Sequence, residues 1–258
     1  MKKKLIIKIG TSTLTAGTNR ISFAVIESLA RQIVELKKTY DIVIVSSGAI
    51  ATARQFVEIN GYHKNVDSKQ AMAAIGQTKL MELYDGIFAT FGLNIAQILL
   101  TYRDFENETA NENTRNTINK LWEFGYIPIV NENDTVSIEE IVLGDNDKLS
   151  ALVSVITQAD LLILVSDIDG IYTANPHLHN DAQLISEVTD LKEATHCIEE
   201  KLSDLGTGGM TSKIKAAEIC LQHNIEMRIV NGQRANYIIN SLNNTIPFTK
   251  FKLMNKAP

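Results

Sequence analysis

Short apolar runs recur along the chain, each followed by a longer stretch in which apolar residues return at helical spacing. Lys4–Ile9, Asp41–Val45, Leu93–Leu100, Tyr126–Val130, Asp160–Val165 and Ile225–Val230 read as strands. Several are continuous, IVIV and LLILV among them, and a strand apolar on both alternate faces is one covered on both sides, as in a parallel sheet. Between them, Ile26, Leu29, Ala30, Ile33 and Leu36 mark one amphipathic helix. Met72, Ile75, Leu80, Leu83 and Ile87 mark another, with Ser68 as its expected N-cap. Strands alternating with helices imply crossover connections, so the pattern predicts an α/β sandwich with helices on both faces of the sheet. No internal repeat, low-complexity segment or Pro/Gly-rich linker interrupts it, and residues 1–258 read as a single domain.

Composition narrows the function more than the fold. A net charge of −5, without a block of basic residues, gives nucleic-acid binding no electrostatic support. No apolar run approaches the ~20 residues needed to span a bilayer. Lys2, Lys3 and Lys4 are followed only by Leu5 to Ile7 before Lys8, which is not the pattern of a signal peptide. Cys197 and Cys220 lie in helix-like sequence without metal-ligand spacing and read as free thiols in a reducing cytosol, so a cytoplasmic protein is expected. His177 and His179 read as solvated loop residues, and His63, His196 and His223 show no pairing that suggests a metal or a triad. No dedicated metal ligands are assigned.

The polar chemistry collects where the strands end. In open α/β sheets ligands bind at the carboxyl ends of the strands, and those ends read KIGTST, SSGAIA, NENDTVS and SDIDGIYT. GDNDKLSA opens one helix and LGTGGMTSK leads into another. Small polar residues of this kind also serve as turns and caps; it is their joint arrangement that points to a site. In LGTGGMTSK, Gly206, Gly208 and Gly209 allow close backbone approach, while Thr211 and Ser212 would cap a helix whose free amides favour an anion. Lys213 then falls in the first turn, against the helix dipole, which suggests a phosphate nearby. Lys8, between Ile7 and Ile9, needs an anionic partner from the protein or from a ligand. KIGTST fits neither the GxxxxGK[ST] phosphate loop nor GxGxxG, because its lysine precedes the glycine. Asp145, Asn146 and Asp147 exceed what one cap requires; with Asp134 and Asp167 they could orient lysines, bind an ammonium or hold Mg²⁺ through water.

Taken in order, KIGTS, SSGAIA, NEND, GDNDKLSA, SDIDGIYTANP and GTGGMTSK resemble the amino acid kinase family, from about residue 4 to about residue 230. Within it, NEND together with GDND resembles the members that phosphorylate the side-chain carboxylate of glutamate. The resemblance implies a three-layer α/β/α sandwich around a mostly parallel open sheet, with glutamate in the amino-terminal part and ATP in the carboxyl-terminal part. It implies Lys8, Lys213 and Asp147 as catalytic residues, the lysines on the transferring phosphate and the carboxylate organising them. Ser47, Asp134 and Asn146 match glutamate-binding positions. Lys8, Gly10, Ser166, Asp167, Thr207, Gly208, Gly209, Met210, Thr211, Ser212 and Lys213 match the ATP site. ATP and Mg²⁺ as cofactors, feedback inhibition by L-proline and a homo-oligomer, dimer or tetramer, follow from the same likeness. So does a short form, lacking the PUA-type domain that many relatives carry. Ser166 stands where many relatives have threonine and keeps the hydroxyl; NPHLHNDAQ lacks the family's usual arginine and proline, and no role is carried over to it. The readings that compete are a kinase of this family with another acceptor, and a non-catalytic sensor of amino acid and nucleotide.

Overall fold

A computed structural model describes residues 2–57, 65–136, 146–174, 178–179, 181–189 and 209–252. Its strands are β1 (Lys3–Ile9), β2 (Tyr40–Ser46), β3 (Asn94–Leu100), β4 (Tyr126–Glu132), β5 (Leu161–Ser166), β6 (Glu187–Val188), β7 (Glu226–Asn231) and β8 (Thr249–Phe251). They form one sheet in the order β3-β4-β2-β1-β5-β7-β8-β6. Each pairing is parallel except β7 with β8. The six strands expected from the apolar runs are all present, within a residue or two of their expected ends. β6 and β8 are additional; two or three residues are too few to show an alternation.

The described helices are α1 (Thr11–Leu14), α2 (Phe23–Leu36), α3 (Ala49–Ala53), α4 (Val66–Ala89), α5 (Tyr102–Glu106), α6 (Glu108–Glu123), α7 (Asp147–Thr157), α8 (Gly209–Gln222) and α9 (Tyr237–Leu242). β1 shows how they are layered. Leu5, Ile7 and Ile9 join a cluster with Leu29 and Ile33 of α2, Leu80, Tyr84 and Phe88 of α4, and Ile238 of α9. Ile6 belongs to the cluster on the other face, with Leu149 and Val153 of α7 and Ala217 and Leu221 of α8. Successive strand residues face opposite sides, so one strand feeds two cores and the molecule has three layers, α/β/α. Each such leucine, isoleucine, valine or phenylalanine, fully buried, stabilises the fold by roughly 1.5–3 kcal/mol.

Two expected caps lie inside helices. α4 is capped by Asn65, whose side-chain oxygen accepts from the backbone N–H of Ser68, so Ser68 lies inside the first turn. α8 is helical from Gly209, the first residue described after position 208, so Thr211 and Ser212, expected to cap it, lie inside the helix.

β1 lies between β2 and β5, to which the chain crosses in opposite directions. That reversal opens a crevice at the carboxyl ends of the three strands. The floor of the crevice is held tightly. Gly48 adopts φ 100°, in the left-handed region, to turn the chain from β2 into α3. Gly76 of α4 brings that helix against α3, since a Cβ there would sit 1.8 Å from the carbonyl oxygen of Ala49.

Candidate active site

Lys8 has the parity of Ile6, so it faces the side of the sheet covered by α7 and α8. There its Nζ lies 2.6 Å from Oδ1 of Asp147, the first residue of α7. Lys213, from α8, places its own Nζ 3.0 Å from Oδ2 of the same carboxylate. The Ser212 hydroxyl donates to that oxygen as well, at 3.0 Å. Asp147 is wholly buried, Lys8 nearly so, and Lys213 partly buried. A carboxylate at a helix N-terminus is favoured by the helix dipole, and two ammonium groups hold it in a place water scarcely reaches. Lys8 therefore has the protein-derived partner that its burial demanded, and the same residue accounts for Lys213.

Lys8, Gly10, Ser47, Ser166, Asp167, Gly209 and Lys213 line one cavity of about 300 Å³. The residues expected at KIGTS, SSGAIA, SDIDG and GTGGMTSK thus meet at one place, although more than 200 positions separate Lys8 from Lys213 in the chain. Ser47 is set beside β1 by its backbone N–H, which donates to the Ile9 carbonyl at 3.0 Å. Gly209, the first described residue of α8, reaches the wall. Asp167 is exposed and accepts from the Ser166 hydroxyl at 3.2 Å. Met210 packs instead against the core cluster under α7 and α8, and Thr211 is half-buried in the first turn. Thr207 and Gly208 lie outside the described residues, as do Asp145, Cys197, His63, His177 and His196. His179 is exposed and Cys220 is a buried thiol, its pKa pushed up to about 12 by burial.

A second polar cluster adjoins the first at the end of β4. Glu132 and Asp134 are both nearly buried. Burial, and then the charge of Glu132, raise the pKa of Asp134 to about 7. Asn146 occupies the N-cap position of α7 but makes no capping bond. Its Nδ2 donates to the Ser46 carbonyl at 3.0 Å and to Asn131 Oδ1 at 2.8 Å. Oδ1 of Asp134 and Oδ1 of Asn146 are buried and have no hydrogen-bond partner among the described residues. Buried acceptors of this kind are satisfied in most proteins; here they present a surface suited to a donor such as an ammonium.

Asn131, Glu132 and Gln77 belong to this cluster without having been singled out as site residues. Asn131 Nδ2 donates to Gln77 Oε1 at 2.8 Å. The signal for Gln77 was available: it occupies the core-facing stripe of α4, between Met72, Ala73 and Leu80, where a polar residue requires a partner.

Within SDIDG, Asp169 has a structural partner. Arg234 grips both its oxygens, at 2.5 and 2.7 Å, and holds its carboxyl below the usual range. No group of three or more His, Cys, Asp or Glu side chains converges among the described residues. The donor set therefore suits Mg²⁺ delivered on a nucleotide, bound through phosphates and one or two carboxylates. Asp167 is an exposed carboxylate on the cavity wall.

A mostly parallel sandwich with two lysines sharing a carboxylate beside glycine-rich and hydroxyl-rich strand ends defines an α/β protein built to handle phosphate. Comparison with known proteins gives the particular group. Residues 3–231 match the amino acid kinase family. The chain is 46% identical over 232 residues to the glutamate 5-kinase of Clostridium tetani, covering 89% of this chain and 87% of that protein. It is 43% identical over 242 residues to the glutamate 5-kinase of Clostridium acetobutylicum, covering 93% and 91%. In fold it matches the crystal structure of UMP kinase from Ureaplasma parvum with a TM-score of 0.67 at 18% identity, over 98% of this chain and 99% of that one. The chain belongs to the amino acid kinase family. No helix among the described residues is long and apolar enough to cross a membrane.

Proposed function

We propose that this protein transfers the γ-phosphoryl group of ATP to the side-chain carboxylate of L-glutamate, giving L-glutamyl 5-phosphate and ADP, the first step of proline biosynthesis. The observation that carries the reading is the convergence of Lys8 and Lys213 on Asp147 at one cavity wall, beside the buried acceptors of Asp134 and Asn146. Glutamate occupies the amino-terminal part through Ser47, Asp134 and Asn146. ATP lies over the carboxyl-terminal part, against Gly10, Ser166, Asp167 and the start of α8. The identity to glutamate 5-kinases over most of both chains supports this choice of acceptor.

The chemistry suits the residues. A glutamate side chain ionises near ~4.3 and is already a nucleophile at neutral pH. No general base is needed, in keeping with the absence of histidine from the described cavity lining. The obstacle is one anion approaching another, so catalysis rests on positioning and on charge placed at the phosphoryl group. Lys8 and Lys213 supply that charge, Asp147 spaces them, and the α8 amides add donors. Mg²⁺, when bound, neutralises phosphate charge. Two further expectations go with the assignment: inhibition by L-proline, and a homodimer or tetramer in the cytoplasm.

The test is ADP release across glutamate, aspartate, N-acetylglutamate and uridylate, with hydroxylamine trapping of the acyl phosphate. Turnover with glutamate alone, yielding hydroxamate, is the expected result; preference for another acceptor overturns the assignment.

The raised pKa of Asp134 makes glutamate binding pH-dependent. A ligand ammonium selects the ionised carboxylate, so KM for glutamate should fall about tenfold from pH 6 to pH 8, and the slope should vanish in Asp134→Asn. In the empty protein the sign is opposite: the folded state holds a proton that the unfolded chain has lost. Stability from this group therefore declines as pH rises from about 4 to about 7. A KM effect of Asp134→Ala confined to ATP would move this residue to the nucleotide site.

A further inference from the structure

We infer that Gln77 is a positioning residue for the amino acid acceptor, acting through a relay of side-chain amides that fixes Asn146 as a hydrogen-bond acceptor. The inference rests on the functional reading above. Asn146 is wholly buried and spends both hydrogens of its amide, one on the Ser46 carbonyl and one on Asn131 Oδ1. Asn131 Nδ2 donates to Gln77 Oε1 at 2.8 Å, and Gln77 Nε2 donates to Gln97 Oε1 at 2.9 Å.

The direction of this relay is set by groups that have only one role. The Ser46 carbonyl can only accept, so Asn146 must turn its NH₂ toward it. The Glu132 backbone N–H can only donate, and it donates to Asn131 Oδ1 at 2.9 Å, so Asn131 must present its oxygen there. With that oxygen committed, the NH₂ of Asn131 faces α4 and requires an acceptor in a place 1% exposed. Gln77 is that acceptor. The outcome is that Asn146 retains one polar atom, Oδ1, buried and without a partner among the described residues. An amide that cannot flip presents an acceptor at all times, and Asp134, two residues past β4, holds a second buried acceptor. Such a pair recognises a donor on the ligand, the α-ammonium of glutamate, and offers nothing to an analogue without one.

Removing Gln77 Oε1 leaves an Asn131 amide hydrogen buried and unpaired, so Asn131, and Asn146 through it, is held less firmly in place. Steady-state kinetics of full-length Gln77→Met are compared with those of Gln77→Glu, which keeps an acceptor toward Asn131. For Gln77→Met, KM for glutamate should rise about tenfold, the effect of one lost buried hydrogen bond. Its kcat and KM for ATP should stay within about twofold, and inhibition by glutarate, which lacks the ammonium, should be unchanged. Gln77→Glu should restore KM to within about threefold of the parent value. Unchanged KM for glutamate in Gln77→Met, or equal losses for glutamate, glutarate and ATP, would overturn the inference. Should Gln77→Met not fold, Gln97→Met at the exposed sheet edge removes the last acceptor of the relay. It should raise KM for glutamate about two- to threefold, and no rise would count against the relay. Absence of glutamate-dependent ADP release in the parent protein is a separate result, which removes the functional reading and the relay's role with it.

Discussion

Lys8→Ala should lower kcat for glutamate-dependent ADP release at least about a hundredfold, with a much smaller change in KM for glutamate. A well-placed electrostatic donor is typically worth ~2.7–4 kcal/mol in the transition state, or 10²–10³ in rate. Lys8 has the attributes of such a donor: a side chain only 5% exposed, anchored 2.6 Å from Asp147, on the wall of the cavity that Ser47 and Ser166 share. In water the same charge would act weakly; in a dry site its field on the moving phosphoryl group is several times larger. Lys213→Ala should cost a similar factor, because it meets the same carboxylate from α8, in the helix layer that covers Lys8. Arginine at position 8 should not rescue, since a planar guanidinium does not fit a space built for a compact ammonium. Both alanine variants are measured as folded protein, verified by a cooperative melt; kcat within about tenfold of the parent would refute the role given to that lysine.

Asp147→Asn carries the other large effect, and it acts on stability and rate together. The substitution keeps the shape and an oxygen for Ser212 but removes a charge shared by two ammonium groups. Breaking a buried pair by removing one partner costs roughly 3–5 kcal/mol, because the remaining charge is left uncompensated. Here Lys8 loses its nearest anion and both lysines repel, so the melting temperature should drop and kcat should fall by about 10²–10³. Added sulfate distinguishes this cause from loosened packing. An anion that enters the cavity would replace the missing carboxylate, so sulfate should raise the melting temperature of Asp147→Asn more than that of the parent. Equal stabilisation of the two would show that Asp147 is not the counter-charge of the lysines.

Much of the fold was legible because parallel strands covered on both faces leave a strong mark. IVIV and LLILV are apolar at each position, and β2 and β5 appear where those runs lie. β6 and β8 left no such mark, and their pairing depends on strands far away in the chain rather than on local pattern. The start of α4 was legible only within about three residues, Asn65 capping where Ser68 was expected, since several residues in the segment can cap and tertiary contacts choose among them. At the site, Lys8 was conspicuous as a lysine amid isoleucines, and its need for an anion followed from burial alone. Gln77 was inconspicuous because one glutamine in a long helix is unremarkable until its neighbours across the sheet are known.

By itself, the sequence determined the layers, the strands that end in polar segments, and the kinds of residue gathered there. Those properties are local: side-chain periodicity sets which face is buried, and glycine, hydroxyl and carboxylate residues define their own backbone and charge. Only the tertiary structure decided that Asp147 answers Lys8 and Lys213 at once, that Asn146 forgoes capping to face Ser46 and Asn131, and that burial and Glu132 raise the pKa of Asp134. These depend on distances between groups far apart in the chain. A charge interaction varies with separation and with the water excluded around it, and both arise only once the sheet has been assembled and its helices packed.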